Sequence, residues 1–256
     1  MGKQSRDKAR ALREARAVIA ERRGRRRRWA YAGGGVVIAA LIVAIAVTLV
    51  DAAGQDRGGD AAAAQVLRRP APATEAGALA VGDPAAEVTV EVFLDYMCPF
   101  CGRFERTNGG EVARLVRQGA VRLELHPLSF LDEASAGGEY PTRAANAVAT
   151  VADRAPDQLL AFHQALFEQQ PAEGTSGLSD NEIAELARAV GVPASVVDTF
   201  DDRRFVRWVA EATEQAFAAG ISGTPTVRID GTKFDGDLYT VGPLTRALTA
   251  AATGPQ

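Results

Sequence analysis

Read for hydrophobic and polar positions, the chain first shows an uncharged run, "WAYAGGGVVIAALIVAIAVTLV", from Trp29 to Val50, directly after a block of arginines. Its 22 residues match the ~20 that a helix needs to cross a hydrocarbon core. Trp29 and Tyr31 lie at its arginine-rich end, where aromatic rings favour the headgroup boundary. Residues 51–78 then lose all periodicity and are rich in Ala, Gly and Pro, the composition of a disordered linker. From Leu79 the pattern changes again. "EVTVEVFLDY" alternates with period two and predicts a strand ending just before Cys98. "PFCGRFERTN" predicts a helix with Pro99 in its first turn, interrupted at Gly109 and Gly110 and resumed by "EVARLVRQG". "VRLELHPLSF" predicts a second strand.

A long helical stretch follows. Leu159, His163 and Leu166 share one face of "PDQLLAFHQALFEQQ". In "SDNEIAELARAVGVP", Ser179 and Glu182 form a capping-box pattern, Gly191 suits the C-terminal stop, and Ile183, Leu186, Ala187 and Val190 make the buried stripe. "DDRRFVRWVAEATEQAFAAG" turns Phe205, Val209, Ala212 and Ala216 inward. "TPTVRIDG" predicts a strand and turn, "DLYTVG" a weak strand or loop, and "PLTRALTAAA" a closing helix. Strand, helix, strand, several helices, strand and helix make a mixed α/β domain with a helical insertion.

Charge alters this picture at the N-terminus. Residues 1–28 carry twelve Lys or Arg against Asp7, Glu14 and Glu21, so a formal net charge of -3 conceals a basic head on an acidic body. Arginines stay cytoplasmic. The expectation is a basic cytoplasmic segment (1–28), a single transmembrane anchor (29–50), the linker, and an extracytoplasmic domain (79–256). A cleaved signal peptide fits less well, since the apolar run exceeds the usual ~7–15 residues. The basic segment is read as a topology signal, and no nucleic-acid partner is expected.

The only two cysteines, Cys98 and Cys101, stand three positions apart where the strand gives way to the helix. Unpaired N–H groups and the dipole at a helix start favour a thiolate, which lowers the Cys98 pKa below the free value of about 8.5. Cys101, nearly one turn on, can close a disulfide with it, so the pair can cycle by thiol–disulfide exchange. Zinc would need two further ligands, and His126 and His163 lack a paired spacing, so no metal is expected. A structural disulfide over so short a loop stabilises little. Inert buried thiols are the remaining alternative. His126, before Pro127 on a predicted strand, is a proton shuttle or a packed histidine; His163, on its apolar stripe, is structural.

Three features resemble the DsbA-like branch of the thioredoxin superfamily: "VTVEVFLDYMCPFC", the helical stretch of about 132–219, and "GISGTPTVRIDG". The resemblance implies a thioredoxin-like fold over residues 79–256, with Cys98 as nucleophile and Cys101 as resolving thiol. It makes Pro225 a cis-proline facing them, with Thr224 before it, where an extended substrate peptide would pair. Pro99, Phe100 and Asp95 support the motif, and the redox-active disulfide is itself the redox group, with no other cofactor. Two departures stand out. The buried acid expected six residues before the first cysteine is replaced by Val92, and alternation puts Glu91 and Asp95 on the opposite face. Phe100 stands where the best-known relative has His, which predicts a less stabilised thiolate and a less oxidising pair.

The expected function is oxidation of reduced, unfolded exported proteins, with a membrane redox partner restoring the disulfide. The alternatives are a membrane-anchored reductase, an isomerase and a non-redox scaffold or chaperone. Residues 51–78 are too short for the dimerisation domain an isomerase of this branch uses. Nothing in the chain supplies electrons for a reductase.

Overall fold

The computed structural model describes residues 67–253. The basic segment, the proposed anchor and the linker up to residue 66 lie outside the described residues. Among the described residues no helix is long and apolar enough to cross a membrane.

Five strands form one sheet in the order β1-β3-β2-β4-β5. They are β1 (Leu79–Val81), β2 (Val88–Leu94), β3 (Val121–Pro127), β4 (Thr226–Ile229) and β5 (Thr232–Lys233). β2 is central, parallel to β3 and antiparallel to β4. Its first residues alternate buried and half-buried, and from Val92 onward every residue is buried, because the end that leads to the cysteines is covered on both faces. β4 and β5 form a hairpin whose two turn residues, Asp230 and Gly231, both have positive φ (48° and 75°). Asp-Gly suits that geometry, which matches the right-handed twist of the flanking strands.

Helix α1 (Pro99–Phe104) follows β2, and α2 (Gly110–Arg117) precedes β3. Gly109 and Gly110 do not interrupt the helix. A π-helical turn, Glu105–Gly109, joins α1 to α2 without a break. A Cβ at position 109 would overlap the Glu105 carboxylate. The glycine is therefore there to make room, not to stop the helix.

Between β3 and β4 lie α3 (Tyr140–Arg154), α4 (Leu159–Glu168), α5 (Asp180–Ala189), α6 (Ala194–Val197) and α7 (Val206–Ala218); α8 (Pro243–Ala252) closes the described chain. This is the α/β thioredoxin-like arrangement with a helical insertion. The capping box at Ser179 and Glu182 is present in both directions, and Phe205, Val209, Ala212 and Ala216 are buried as their spacing requires.

The folded body starts before Leu79. Residues 67–78, expected as linker, lie against it: Arg69 pairs with Glu211 at 3.1 Å, the Ala71 N–H donates to Asp153 at 2.9 Å, and Ala73 bridges to Leu79. Ala78 is fully buried, so the segment contributes to the core despite its low apolar content.

Candidate active site

Strand β2 ends at Leu94, and Asp95–Met97 turn the chain into α1 with Cys98 as its N-cap. Both cysteines are free thiols. Cys98 retains 7% exposure and Cys101 none, so only the first sulfur can be reached from outside. The Thr224–Pro225 bond is cis. As a thiol, Cys98 donates to the Thr224 carbonyl at 3.3 Å. As a thiolate, it is stabilised by the Cys101 thiol and, against the cost of burial, by the Thr224 side chain and the N–H groups of Cys101 and Phe100. Together these bring its pKa down to about 6. Burial first, then the hydrogen bond to Cys98 and its charge, hold Cys101 well above the ordinary thiol value. The two sulfurs are thus sharply unequal: an accessible thiolate at neutral pH, and a buried proton carrier behind it.

Asp95 lies beyond the last strand residue, so alternation no longer fixes its direction, and it is fully buried. Its carboxylate accepts from the Met97 N–H (2.8 Å) and the Leu131 N–H (2.9 Å), and its own N–H points at Cys101 Sγ (3.5 Å). Burial raises its pKa to about 7 despite those two donors, with the Cys98 charge adding to the rise. Asp95 therefore pins the active-site turn to the loop after β3.

Sequence reasoning passed over Gln170, Gly102, Tyr96 and Glu105, which complete the site. Gln170 donates to the carbonyls of Tyr96 (3.1 Å) and Cys98 (2.9 Å). A Cβ on Gly102 would overlap the Gln170 amide, so glycine one residue after Cys101 keeps that brace in place. Tyr96 OH meets His163 Nδ1 at 2.8 Å, and His163 Nε2 meets Glu105 at 3.2 Å. The imidazole thus bridges the Tyr96 hydroxyl and the Glu105 carboxylate. Burial and the neighbouring Glu105 keep the Tyr96 hydroxyl protonated. Only the placement of His163 on an apolar stripe hinted at this.

An exposed aromatic side chain stands between the two cysteines in the sequence. Phe100 is 58% exposed and lies 6.1 Å from the Tyr239 ring, over which Arg103 sits at 4.7 Å. His126 is absent from the site. It stacks on Phe93 with ring centroids 3.9 Å apart, and burial with the nearby Arg228 charge presses its pKa down to about 3. Its 3.8 Å approach to Glu91 is thus no ion pair at neutral pH, which removes the proton-shuttle reading.

A thioredoxin family profile matches residues 74–243. The chain belongs to the thioredoxin family. Within it, this member is DsbA-like, a branch whose redox group is a cysteine pair. Among solved structures it is similar to the reduced disulfide bond oxidoreductase DsbG of Mycobacterium tuberculosis, with 30% identity and a TM-score of 0.58 over 72% of this chain and 97% of that one. It is also similar to MdbA, a thiol-disulfide oxidoreductase of Actinomyces oris, with 28% identity and a TM-score of 0.61 over 71% and 88%. The serine/threonine-protein kinase PknE of Mycobacterium tuberculosis is 32% identical over 155 residues. That match spans 57% of this chain but only 27% of the kinase, so no kinase activity is inferred from it.

Proposed function

We propose that this thiol-disulfide oxidoreductase acts as an oxidase, donating the Cys98–Cys101 disulfide to reduced, unfolded proteins outside the cytoplasm. A substrate thiolate attacks Cys98 Sγ, the disulfide breaks, and Cys101 leaves and takes up a proton. A second substrate thiolate attacks the substrate sulfur of the mixed disulfide, forming the substrate disulfide and expelling Cys98 as thiolate. Two electrons pass to the cysteine pair, which a membrane redox partner then reoxidises.

The observation that carries this reading is the inequality of the two thiols. A thiol of low pKa is a good leaving group in the second step and stabilises the reduced pair, which makes the disulfide more oxidising. A Cys98 pKa of about 6 falls between thioredoxin's ~7 and DsbA's ~3.5. The exposed Phe100 and its neighbour Tyr239 suit the apolar side chains of an unfolded chain. Thr224, whose carbonyl accepts from Cys98, and Pro225 after the cis bond are the proposed place for its backbone, and Pro99 and Asp95 are proposed to position the motif. Residues 29–50 are proposed as the membrane anchor, with the N-terminus cytoplasmic.

The test uses the oxidised full-length chain with a reduced, unfolded ribonuclease as substrate. Recovery of ribonuclease activity is expected, and Cys98→Ser should return it to the uncatalysed rate; equal recovery with both would reject the redox reading. Equilibration with glutathione should give a potential between about -120 and -230 mV, and a value at or below about -270 mV would overturn the oxidising direction.

A further inference from the structure

Among the described residues, one group of His and Glu side chains that could hold a metal ion is not used by the thiol chemistry. In the parallel pairing of β2 with β3, Glu91 lies opposite Glu124 and Phe93 opposite His126. Strand alternation sends all four to one face of the sheet, the face on which Phe93 packs against Ala216 of α7. The ligand atoms of Glu91, Glu124 and His126 all lie within 4.8 Å of one another, with His126 Nε2 and Glu91 Oε1 3.8 Å apart. The imidazole is 1% exposed, while the two carboxylates keep 15% and 17%. The cluster thus has a buried floor and a mouth open to solvent.

Two features of this cluster are costly as they stand. Among the described residues, neither nitrogen of His126 has a hydrogen-bond partner, and burying such a group unpaired is unfavourable. Two like charges face each other directly across a strand pair, which destabilises a sheet. Arginines offset part of this. Arg122 reaches Glu124 at 3.2 Å, and the Arg228 charge acts on both Glu91 and His126. Neither arginine hydrogen-bonds the ring, however, and among the described residues both imidazole nitrogens stay without a partner. A cation placed between the three groups would offset the like charges and give one imidazole nitrogen a partner.

We propose that Glu91, Glu124 and His126 form a binding site for a divalent transition-metal ion, zinc being the best match, which ties β2 to β3. One imidazole and two carboxylates are a three-ligand zinc set, leaving the fourth tetrahedral position to water at the open mouth. Calcium and magnesium prefer all-oxygen shells, and copper(I) prefers sulfur. Zinc bonds of about 2.0 Å put tetrahedral ligand atoms about 3.3 Å apart, so the groups close by roughly an ångström. The two glutamates can swing inward while Phe93 holds the imidazole in place. Arg122 releases Glu124 in the process, a partly exposed pair of low net worth.

The measurement uses the full-length chain with Cys98 and Cys101 oxidised, so that neither sulfur can bind metal. Equilibrium dialysis against zinc should give one ion per chain, and excess zinc should raise the melting temperature by several degrees. Cobalt(II) should give the d–d bands of a tetrahedral nitrogen–oxygen site, with no sulfur charge-transfer band. His126→Phe and Glu124→Gln should each weaken zinc binding at least tenfold and leave thiol exchange unchanged. Glu124→Gln alters a partly exposed side chain and keeps the test decisive where His126→Phe does not fold. An oxidised chain that takes up no zinc, or a folded variant that binds it as tightly as the parent, overturns the proposal; the oxidase assay is independent of either result.

Discussion

On the face of the sheet covered by α1, α2 and α4, the imidazole of His163 has both nitrogens engaged, one by Tyr96 and one by Glu105. On the opposite face, the imidazole of His126 is equally buried, and neither of its nitrogens has a hydrogen-bond partner among the described residues. Both rings pack against an aromatic side chain, His163 edge-on to Phe167 and His126 stacked on Phe93. The difference lies in what each region must hold still. The His163 chain ends at Tyr96 and Glu105, two residues before Cys98 and four after Cys101, so it fixes both sides of the active-site turn. The His126 ring fixes nothing by hydrogen bonding. Burial of a polar group therefore marks a structural brace only where its partners are also present.

Replacing each ring by an apolar one of similar size should separate the two regions most strongly. His163→Phe leaves the Tyr96 hydroxyl and the Glu105 carboxylate buried without their partner, and should cost about 3–5 kcal/mol. His126→Phe removes a group that already lacks partners, and should cost less than about 1 kcal/mol or stabilise the metal-free fold. Thermal or urea unfolding in the presence of a chelator measures both. Equal losses would mean that the hydrogen bonds to His163 contribute nothing net.

Asp95 extends the comparison, because it is fully buried and has donors, yet too few to offset its burial. Its folded pKa of about 7 exceeds the ordinary ~3.9. The sign follows from linkage: a raised pKa favours the folded state at low pH, and that advantage is lost as pH rises through about 7. Asp95→Asn does not titrate. Its stability relative to the parent should therefore improve by on the order of 3 kcal/mol between pH 5 and 8. It also loses one of two N–H acceptors at every pH, a constant cost of about 1–3 kcal/mol, so the slope, and not the offset, is diagnostic. A difference that is flat with pH would show Asp95 ionised in the fold throughout that range.

The strand leading to Cys98, the insertion, the capping box at Ser179 and the cysteine pair itself were legible in the sequence because each is a local pattern. What escaped depends on pairings between distant positions. Gln170 reaches the Cys98 carbonyl from 72 residues away, and Tyr96 finds His163 across 67. The meeting of Glu91, Glu124 and His126 follows only from strand register. Gly109 was read by its propensity as a helix breaker, although its small size matters more there, since a side chain would displace Glu105 from His163. Asp95 was assigned to a strand face because the pattern continues smoothly past Leu94, whereas the strand does not.

The smallest effect is expected where a polar group is added at the exposed rim of the site. Phe100→His places a hydrogen-bond donor between the two cysteines of the motif, at a position that is 58% exposed. Because the side chain is largely solvated, little stability should change, within about ±0.5 kcal/mol. A protonated or N–H-donating imidazole favours the Cys98 thiolate, while water screens part of that gain. The pKa of Cys98 should fall from about 6 by less than about one unit. One unit is about 1.4 kcal/mol, equivalent to about 30 mV for a two-electron couple, so the disulfide should become more oxidising by at most that amount. Thiolate absorbance at 240 nm against pH, with glutathione equilibration beside it, reads both quantities. An unchanged pKa would place control of Cys98 wholly with Cys101, Thr224 and the backbone N–H groups, the buried side of the sulfur instead of its open one.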